Sequence, residues 1–338
     1  MKKITLFCGA LLVAATLLFV ACGKDKEATI GKFFKVDNAT LVAENMPEAT
    51  TNQTITVSMN ENAIPGGSSY VSVNSEVPAR KILVGMRDQV GYYELVPSHS
   101  RGNEYSFILL VDQNIALGEG QTVFNVQVAI EDENGDISQI WETNVELKVV
   151  GTGALQVSLS FDNAKDVDLH LIEPEYNDEY GEPVSFYDRH IYYFSPYAYN
   201  SGGELDLDSN AGCSIDNVNN ENITYNDSTA WIPSGTYKVY IDLWENCELD
   251  PEYPEIKDLP TNFVVTVFYG GVLIASRSGV FDKDAESTYN PIDEEFVAEN
   301  EPFLTFNIAG TAKQAPKTFG RAELSESAIE KEANAVHK

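Results

Sequence analysis

Alternating apolar and polar residues dominate the chain between about residues 30 and 310, and turn residues interrupt them at short intervals. Alternation with a period of two is typical of half-buried β-strands. Helical periodicity of useful length is nearly absent from the same region. The sequence therefore predicts an all-β protein.

The first block of this pattern covers residues 31–150 and holds seven predicted strands. They are QTITVSM, SSYVSVN, KILVGM, YYELV, YSFILLV, TVFNVQVAI and ISQIWETNVELKVV. The Asn134-Gly135 pair before the last of them predicts a tight hairpin. Seven short strands in this length predict an immunoglobulin-like (Ig-like) β-sandwich, which we interpret as a spacer.

The second block covers residues 154–310, after a Gly-Thr-Gly linker at 151–153. Gly270-Gly271 predicts a hairpin between two of its strands. Eight predicted strands indicate a second sandwich, of jelly-roll or Ig-like type. They are 155–161, 167–172, 190–194, 204–208, 236–244, 262–269, 272–278 and 303–308. Residues 311–338 lose the β-pattern and predict a loosely ordered tail.

The first 22 residues read as an export signal. A basic start and an apolar run end at Cys22, which predicts a lipoprotein signal peptide over residues 1–21, although Phe19 stands where leucine is usual. A lipid on Cys22 would contribute about 0.8 kcal/mol per buried methylene to membrane binding. The alternative is a retained membrane helix. The polar tether at 22–30 resembles the export signal of Bacteroidetes surface lipoproteins, which implies the outer membrane, at its cell surface or periplasmic face.

The net charge limits the possible binding partners, and the cysteine content predicts a disulfide. The formal net charge of −30 disfavours nucleic acid and anionic headgroups and favours divalent cations. Of the four cysteines, Cys8 leaves with the signal and Cys22 takes the lipid. We predict a disulfide between Cys213 and Cys247, with two buried free thiols as the alternative.

Carboxylates recur at strand spacing in two segments of the second block. In KDVDLHLIEP, Val167, Leu169 and Leu171 alternate with residues expected to face outward: Asp166, Asp168 and His170. GGELDLDSN repeats this pattern with Asp206 and Asp208. Two carboxylates 4 Å apart repel by about 4 kcal/mol at an effective dielectric near 20, so their convergence would favour a bound cation.

In DLDSNAG, residues 206–212, side-chain oxygens occur at every second position, as in a calcium loop, which adds Asn210 to the candidate ligands. The loop is not an EF-hand, because Ala211 replaces the glycine that an EF-hand requires. We therefore predict a Ca²⁺ site in a sandwich loop. The alternative is that these aspartates are solvated or cap turns. Mg²⁺ is a second possible ion.

The segments DVDLHLIEP, GGELDLDSN, ENITY and PSGTYKVYIDLW follow in order the pattern of the YfaP-like domain, which this region resembles over about residues 160–280. That domain is an uncharacterised bacterial β-sandwich. The resemblance implies a fold and an exported setting, and no activity. It also implies that Glu221-Asn222-Ile223 is the surviving part of a family segment, which adds Glu221 to the predicted ligands.

A tyrosine-rich insertion, residues 173–203, lies between the two acidic segments. Tyrosine offers an apolar face and a hydroxyl, which suits stacking on sugar rings or a protein surface, although strand alternation would bury about half of these rings. The predicted ligand-binding residues are Tyr176, Tyr180, Tyr187, Tyr197 and Tyr199.

No established catalytic motif occurs in a fitting context, although paired carboxylates also serve glycosidases. We therefore predict a membrane-anchored, non-enzymatic binding module for a glycan or a protein, stabilised by Ca²⁺. Two alternatives remain open: a structural envelope or adhesion subunit with no small ligand, and a metal-dependent hydrolase.

Overall fold

The computed structural model describes residues 28–97, 102–226, 230–247, 258–283, 285 and 292–309. The signal peptide, Cys22 and the 311–338 tail lie outside the described residues. The predicted all-β class is confirmed, since the described chain is built almost entirely from multi-stranded sheets.

Ten strands precede residue 148. They are β1 Phe34–Val36, β2 Thr40–Val42, β3 Ile55–Ser58, β4 Asn62–Ala63, β5 Ser68–Ser75, β6 Ala79–Gly85, β7 Tyr92–Leu95, β8 Glu104–Val111, β9 Val123–Asp132 and β10 Trp141–Leu147. A 3₁₀ turn at Ile30–Lys32 comes before them. All seven predicted segments contain a strand, and the three that were not predicted have only two or three residues.

These ten strands form two sheets with a shared core. Sheet A has the order β1-β8-β5-β3, and sheet B has the order β2-β7-β6-β9-β10-β4. All pairings are antiparallel except β10 with β4. Alternate residues such as Val71, Val84 and Val126 are fully buried between the sheets. This alternation is what gives the first block its sandwich form.

Ten more strands and one helix follow. They are β11 Leu155–Phe161, β12 Asp166–Ile172, β13 His190–Ile191, β14 Tyr197–Ala198, β15 Gly203–Leu207, β16 Asn220–Tyr225, β17 Gly235–Glu245, β18 Thr261–Tyr269, β19 Val272–Phe281, α1 Glu294–Glu299 and β20 Leu304–Ile308. Short 3₁₀ turns lie at Tyr187–Arg189 and Ala211–Cys213. Sheet C has the order β14-β15-β16-β11-β18-β19, and sheet D has the order β13-β12-β17-β20.

The predicted Gly270-Gly271 hairpin is confirmed. Tyr269 pairs with Val272, and both glycines have positive φ, at 58° and 78°. A two-residue turn of this form matches the twist of the strands that it joins, and glycine adopts it without steric cost. The resulting β18–β19 hairpin ends sheet C.

Strand β16 was missed by the sequence pattern. All six of its residues are buried, including Asn220, Glu221 and Asn222, so no alternation of apolar and polar positions marks it. The predicted strand at 190–194 was too long, because only His190 and Ile191 pair with β12.

The two sandwiches meet through a buried polar layer. Alternate residues of β11 enter the core of sheets C and D, and those between them face sheet A. Gln156 Nε2 donates to Pro65 O at 2.7 Å, and Ser160 Oγ lies 2.7 Å from Ser68 Oγ. Hydrogen bonds thus engage the buried polar side chains of β11.

Candidate metal centre

Strand β12 buries both of its faces. Val167, Leu169 and Leu171 enter the core as predicted, but Asp166, Asp168 and His170 are buried too. The expectation that they face solvent is wrong. The reason is tertiary: the outer face of sheet D is covered by α1, the tyrosine-rich insertion and the loop after β15.

Asp168, Asp208 and Glu221 form an acidic cluster. Each contributes one carboxylate oxygen, and the three oxygens lie within 4.8 Å of one another. Asp168 comes from sheet D, Asp208 follows β15, and Glu221 comes from β16 in sheet C. Asp168 and Glu221 are each only 1% exposed. Three separate segments therefore bring carboxyl groups to one mostly buried point.

Glu221 reaches the cluster across the gap between the sheets. In sheet C it pairs with Leu159, whose side chain lies in the core. Its Oε2 accepts a 2.6 Å hydrogen bond from the backbone N–H of Leu169. Strand β13 pairs only with Leu171 and Ile172 of β12. At Leu169 the Glu221 carboxylate therefore accepts the hydrogen bond that a neighbouring strand would otherwise accept.

A β-bulge separates Asp206 from Asp208. Leu205 pairs with Ile223 and Leu207 with Asn222, so Asp206 is the extra residue of the bulge. Its carboxylate accepts hydrogen bonds from the Gly151 N–H and from Asn222 Nδ2.

Asn222 and Glu221 are consecutive strand residues and point to opposite faces of β16. The predicted place of Asp206 in the ligand set is therefore corrected: it holds the linker between the sandwiches. Burial raises the pKa of this carboxyl to about 6.

Asn210 and Asp166 organise the loop beside the cluster. Asn210 has φ of 58°, donates from Nδ2 to Lys165 O and Asn219 Oδ1, and accepts at Oδ1 from the Asp216 N–H. Asp166 Oδ2 accepts a 2.7 Å hydrogen bond from the Gly212 N–H. Both residues thus position the loop beside the three carboxylates, and their predicted role as ligands stays a prediction.

The predicted disulfide is confirmed. Cys213 and Cys247 lie at bonding distance, with Cα atoms 5.3 Å apart. The bridge joins the loop that positions Asp208 to the segment after β17. Closing a loop of 34 residues contributes roughly 3 to 4 kcal/mol by restricting the unfolded chain.

Asp242 is a neighbour of the cluster that the sequence analysis missed. It is buried and lies directly opposite Asp168 in the β12–β17 pairing. Opposed residues of two antiparallel strands project from the same face. The alternation in KVYIDLW already separates Asp242 from Val239 and Ile241, but only the strand register shows which residue it faces.

Two buried histidines lie next to the acidic residues of β12. His170 Nδ1 and His190 Nε2 are 2.9 Å apart, and Tyr192 stacks on His190 with ring centroids 4.1 Å apart. Burial lowers the pKa of His190 to about 3, so its ring is neutral at physiological pH. The histidines therefore tie the aromatic insertion to sheet D, and the cluster itself offers only oxygen donors.

The tyrosines of the insertion have different environments. Tyr176 is half-buried, donates a 2.8 Å hydrogen bond to Glu173 and packs edge-on against Trp231, so one side of its ring is engaged within the protein. Tyr180 and Tyr187 are exposed, whereas Tyr197 and Tyr199 are half-buried and pack edge-to-face at 5.0 Å.

Phe194 belongs to the exposed part of this surface although it was not among the predicted ligand residues. It is 61% exposed and its ring centroid lies 6.3 Å from that of Tyr192. Its exposure could not be predicted from the sequence HIYYF. A strand through this segment would bury alternate side chains, whereas the chain forms a turn between Tyr192 and Ser195.

No protein-family model matches this chain, and no curated protein matches it. The YfaP-like resemblance stays a prediction. Within the described ranges, no helix is long and apolar enough to cross a membrane.

Proposed function

We propose that this protein is an exported, lipid-anchored binding module whose C-terminal sandwich is stabilised by Ca²⁺. The lipid on Cys22 would attach it to the bacterial outer membrane. The cation would be held by Asp168, Asp208 and Glu221. The ligand, a glycan, would bind the exposed rings of the tyrosine-rich insertion.

The convergence of the three carboxylates is the observation that carries this proposal. At 4.8 Å and an effective dielectric near 20, each pair of unit charges repels by about 3.5 kcal/mol. A divalent cation between them converts that repulsion into attraction. The all-oxygen donor set fits a hard cation, and Ca²⁺ accepts six to eight oxygens in flexible geometry. Backbone carbonyls and water would complete the shell.

Burial of the same carboxylates favours a structural cation over catalysis. A glycosidase needs two carboxyl groups open to the bond that is cleaved. Asp168 and Glu221 are 1% exposed, and Glu221 is engaged by the Leu169 N–H. Such groups can hold an ion but do not meet a polymeric substrate. The hydrolase alternative therefore has less support than the binding module.

The aromatic insertion supports glycan as the ligand. Tyr187 is 63% exposed and lies beside half-buried Tyr192, which in turn neighbours Phe194. Flat rings of this kind stack on the apolar faces of sugars. Asp188 is exposed next to Tyr187 and can accept hydrogen bonds from sugar hydroxyls.

Thermal unfolding with and without Ca²⁺ tests the cation. At a concentration of 100 times Kd, binding to the native state alone adds about 2.7 kcal/mol, or roughly 5 to 10 °C in Tm for a unit of this size. Asp168→Asn and Asp208→Asn should abolish this rise. Asp206→Asn is the matched control, because Asp206 contacts Asn222 on the face of β16 opposite to Glu221. This variant should change the Tm measured without Ca²⁺ and keep the rise on adding the ion. A rise that survives Asp168→Asn and Asp208→Asn would refute the site.

A further inference from the structure

Strand β19 is an unusually long edge. It runs for ten residues, Val272–Phe281, along the outer side of sheet C. In the described part of the chain, the other seven sheet edges are strands of only two to five residues: β1, β2, β3, β4, β13, β14 and β20. No described strand pairs with the free side of β19.

The composition of β19 does not protect this edge. Folded proteins usually block exposed edges with short strands, charged residues or proline, because unpaired N–H and C=O groups recruit other strands. Strand β19 has no proline and one charged residue, Arg277. Val272 and Val280, near its two ends, are 62% and 52% exposed. The edge therefore has the features of a pairing surface.

Arg277 does not place its charge at the edge either. Its guanidinium lies 4.7 Å above the ring of Phe303 and donates to the Phe303 carbonyl. The exposed side chain is thus held against the segment before β20. A neighbouring strand could approach β19 without displacing it.

The charge distribution favours a second copy of this chain as the occupant. The chain has 52 acidic residues, yet none lies between 259 and 281, the stretch that contains the whole β18–β19 hairpin. Two copies with a net charge of −30 repel over most of their surfaces. At this hairpin they can approach with no opposed carboxylates from either strand.

We propose that β19 pairs antiparallel with β19 of a second copy about a two-fold axis. The pairing joins the two six-stranded C sheets into one continuous sheet. A contact of this symmetry uses the same surface on both copies and closes at a dimer. Main-chain hydrogen bonds supply the affinity, as in other strand-addition complexes. The dimer is independent of the proposed cation and glycan.

Sedimentation equilibrium of the purified protein through the micromolar range tests this dimer. The wild type should show twice the mass of one chain. The double variant Ser276→Glu with Ser278→Glu places four carboxylates along the paired strands, and should raise the dissociation constant roughly tenfold or more. Thr56→Glu with Ser58→Glu is the matched control, because it makes the same change at two exposed positions of the short edge strand β3. The control should remain a dimer.

A photo-crosslinking residue at position 276 gives a second measurement that does not depend on an acidic variant folding. Mass spectrometry should find the adduct on β19 of the other copy. A wild type that stays at the mass of one chain, or that grows beyond a dimer, overturns the proposal. So does an equal effect of the β3 control, or an adduct on any other segment.

Discussion

Glu221 Oε2 accepts a 2.6 Å hydrogen bond from the backbone N–H of Leu169, and this bond joins sheet C to sheet D. The carboxylate occupies the edge of β12 that β13 is too short to cover. The same side chain supplies one oxygen of the acidic cluster. One residue thus has a structural role and a proposed ligand role, and two substitutions can separate them.

Glu221→Gln keeps a carbonyl oxygen for the Leu169 N–H and removes the charge. It should cost little stability in the absence of Ca²⁺ and abolish the rise in Tm on adding the ion. Glu221→Ala also leaves the buried N–H without its acceptor, which costs about 1 to 3 kcal/mol. Urea unfolding with and without Ca²⁺ measures both effects. Equal baseline stabilities for the two variants would contradict the bridging role.

Glu173 gives the stability of the protein a distinctive pH dependence. It is buried and accepts hydrogen bonds from Tyr176 and Tyr225, and burial raises its pKa to about 7. A folded-state pKa above the unfolded value of 4.5 means that the native state binds the extra proton. The stabilisation that the protonated Glu173 carboxyl gives to the folded state is therefore complete below pH 4.5, and it is lost as the pH rises through 7.

Glu173→Gln should remove this part of the pH profile. The wild type should lose about 3 kcal/mol more than the variant between pH 4.5 and pH 8, as judged from urea unfolding across that range. Glu175→Gln, an exposed glutamate two residues away, is the control and should follow the wild type. Parallel profiles for the wild type and Glu173→Gln would rule out this role for Glu173.

The disulfide should stabilise both the fold and the cation site. Replacing Cys213 and Cys247 together with serine removes the loop closure and should lower the unfolding free energy by roughly 3 to 4 kcal/mol. Because the bridge holds the loop after β15, calcium affinity measured by titration calorimetry should also fall. An unchanged affinity would show that Asp208 is positioned without the bridge.

The exposed rings should carry glycan binding. Tyr187→Ala and Phe194→Ala should each weaken binding about five- to tenfold, the equivalent of about 1 to 1.4 kcal/mol of stacking. Glycan arrays followed by titration of one bound sugar provide the measurement. Tyr269→Ala, at an exposed tyrosine of the β18–β19 hairpin, is the control. Binding of a protein partner without any sugar would instead favour the structural-subunit alternative.

The local pattern was sufficient for most of the fold. Period-two alternation located the long strands, and Gly270-Gly271 located the hairpin, because strand alternation and positive-φ turns depend on residues close in the chain. The pattern failed where both faces of a strand are buried. Strand β16 carries Asn220, Glu221 and Asn222 in the interior and therefore looked like a loop.

The candidate site, like the fold, was predicted in part from local sequence and depends in part on tertiary contacts. The sequence by itself determined the all-β class, the cysteine pair and the carboxylates in and directly after β12 and β15 as possible ligands, since these follow from residue type and spacing. Only the tertiary structure decided which of them meet. The bulge at Asp206 turns that residue toward the linker, and the packing of sheet C on sheet D brings Glu221 to Asp168. A bulge and a sheet-to-sheet contact depend on segments distant in sequence, whose relative positions no local pattern specifies.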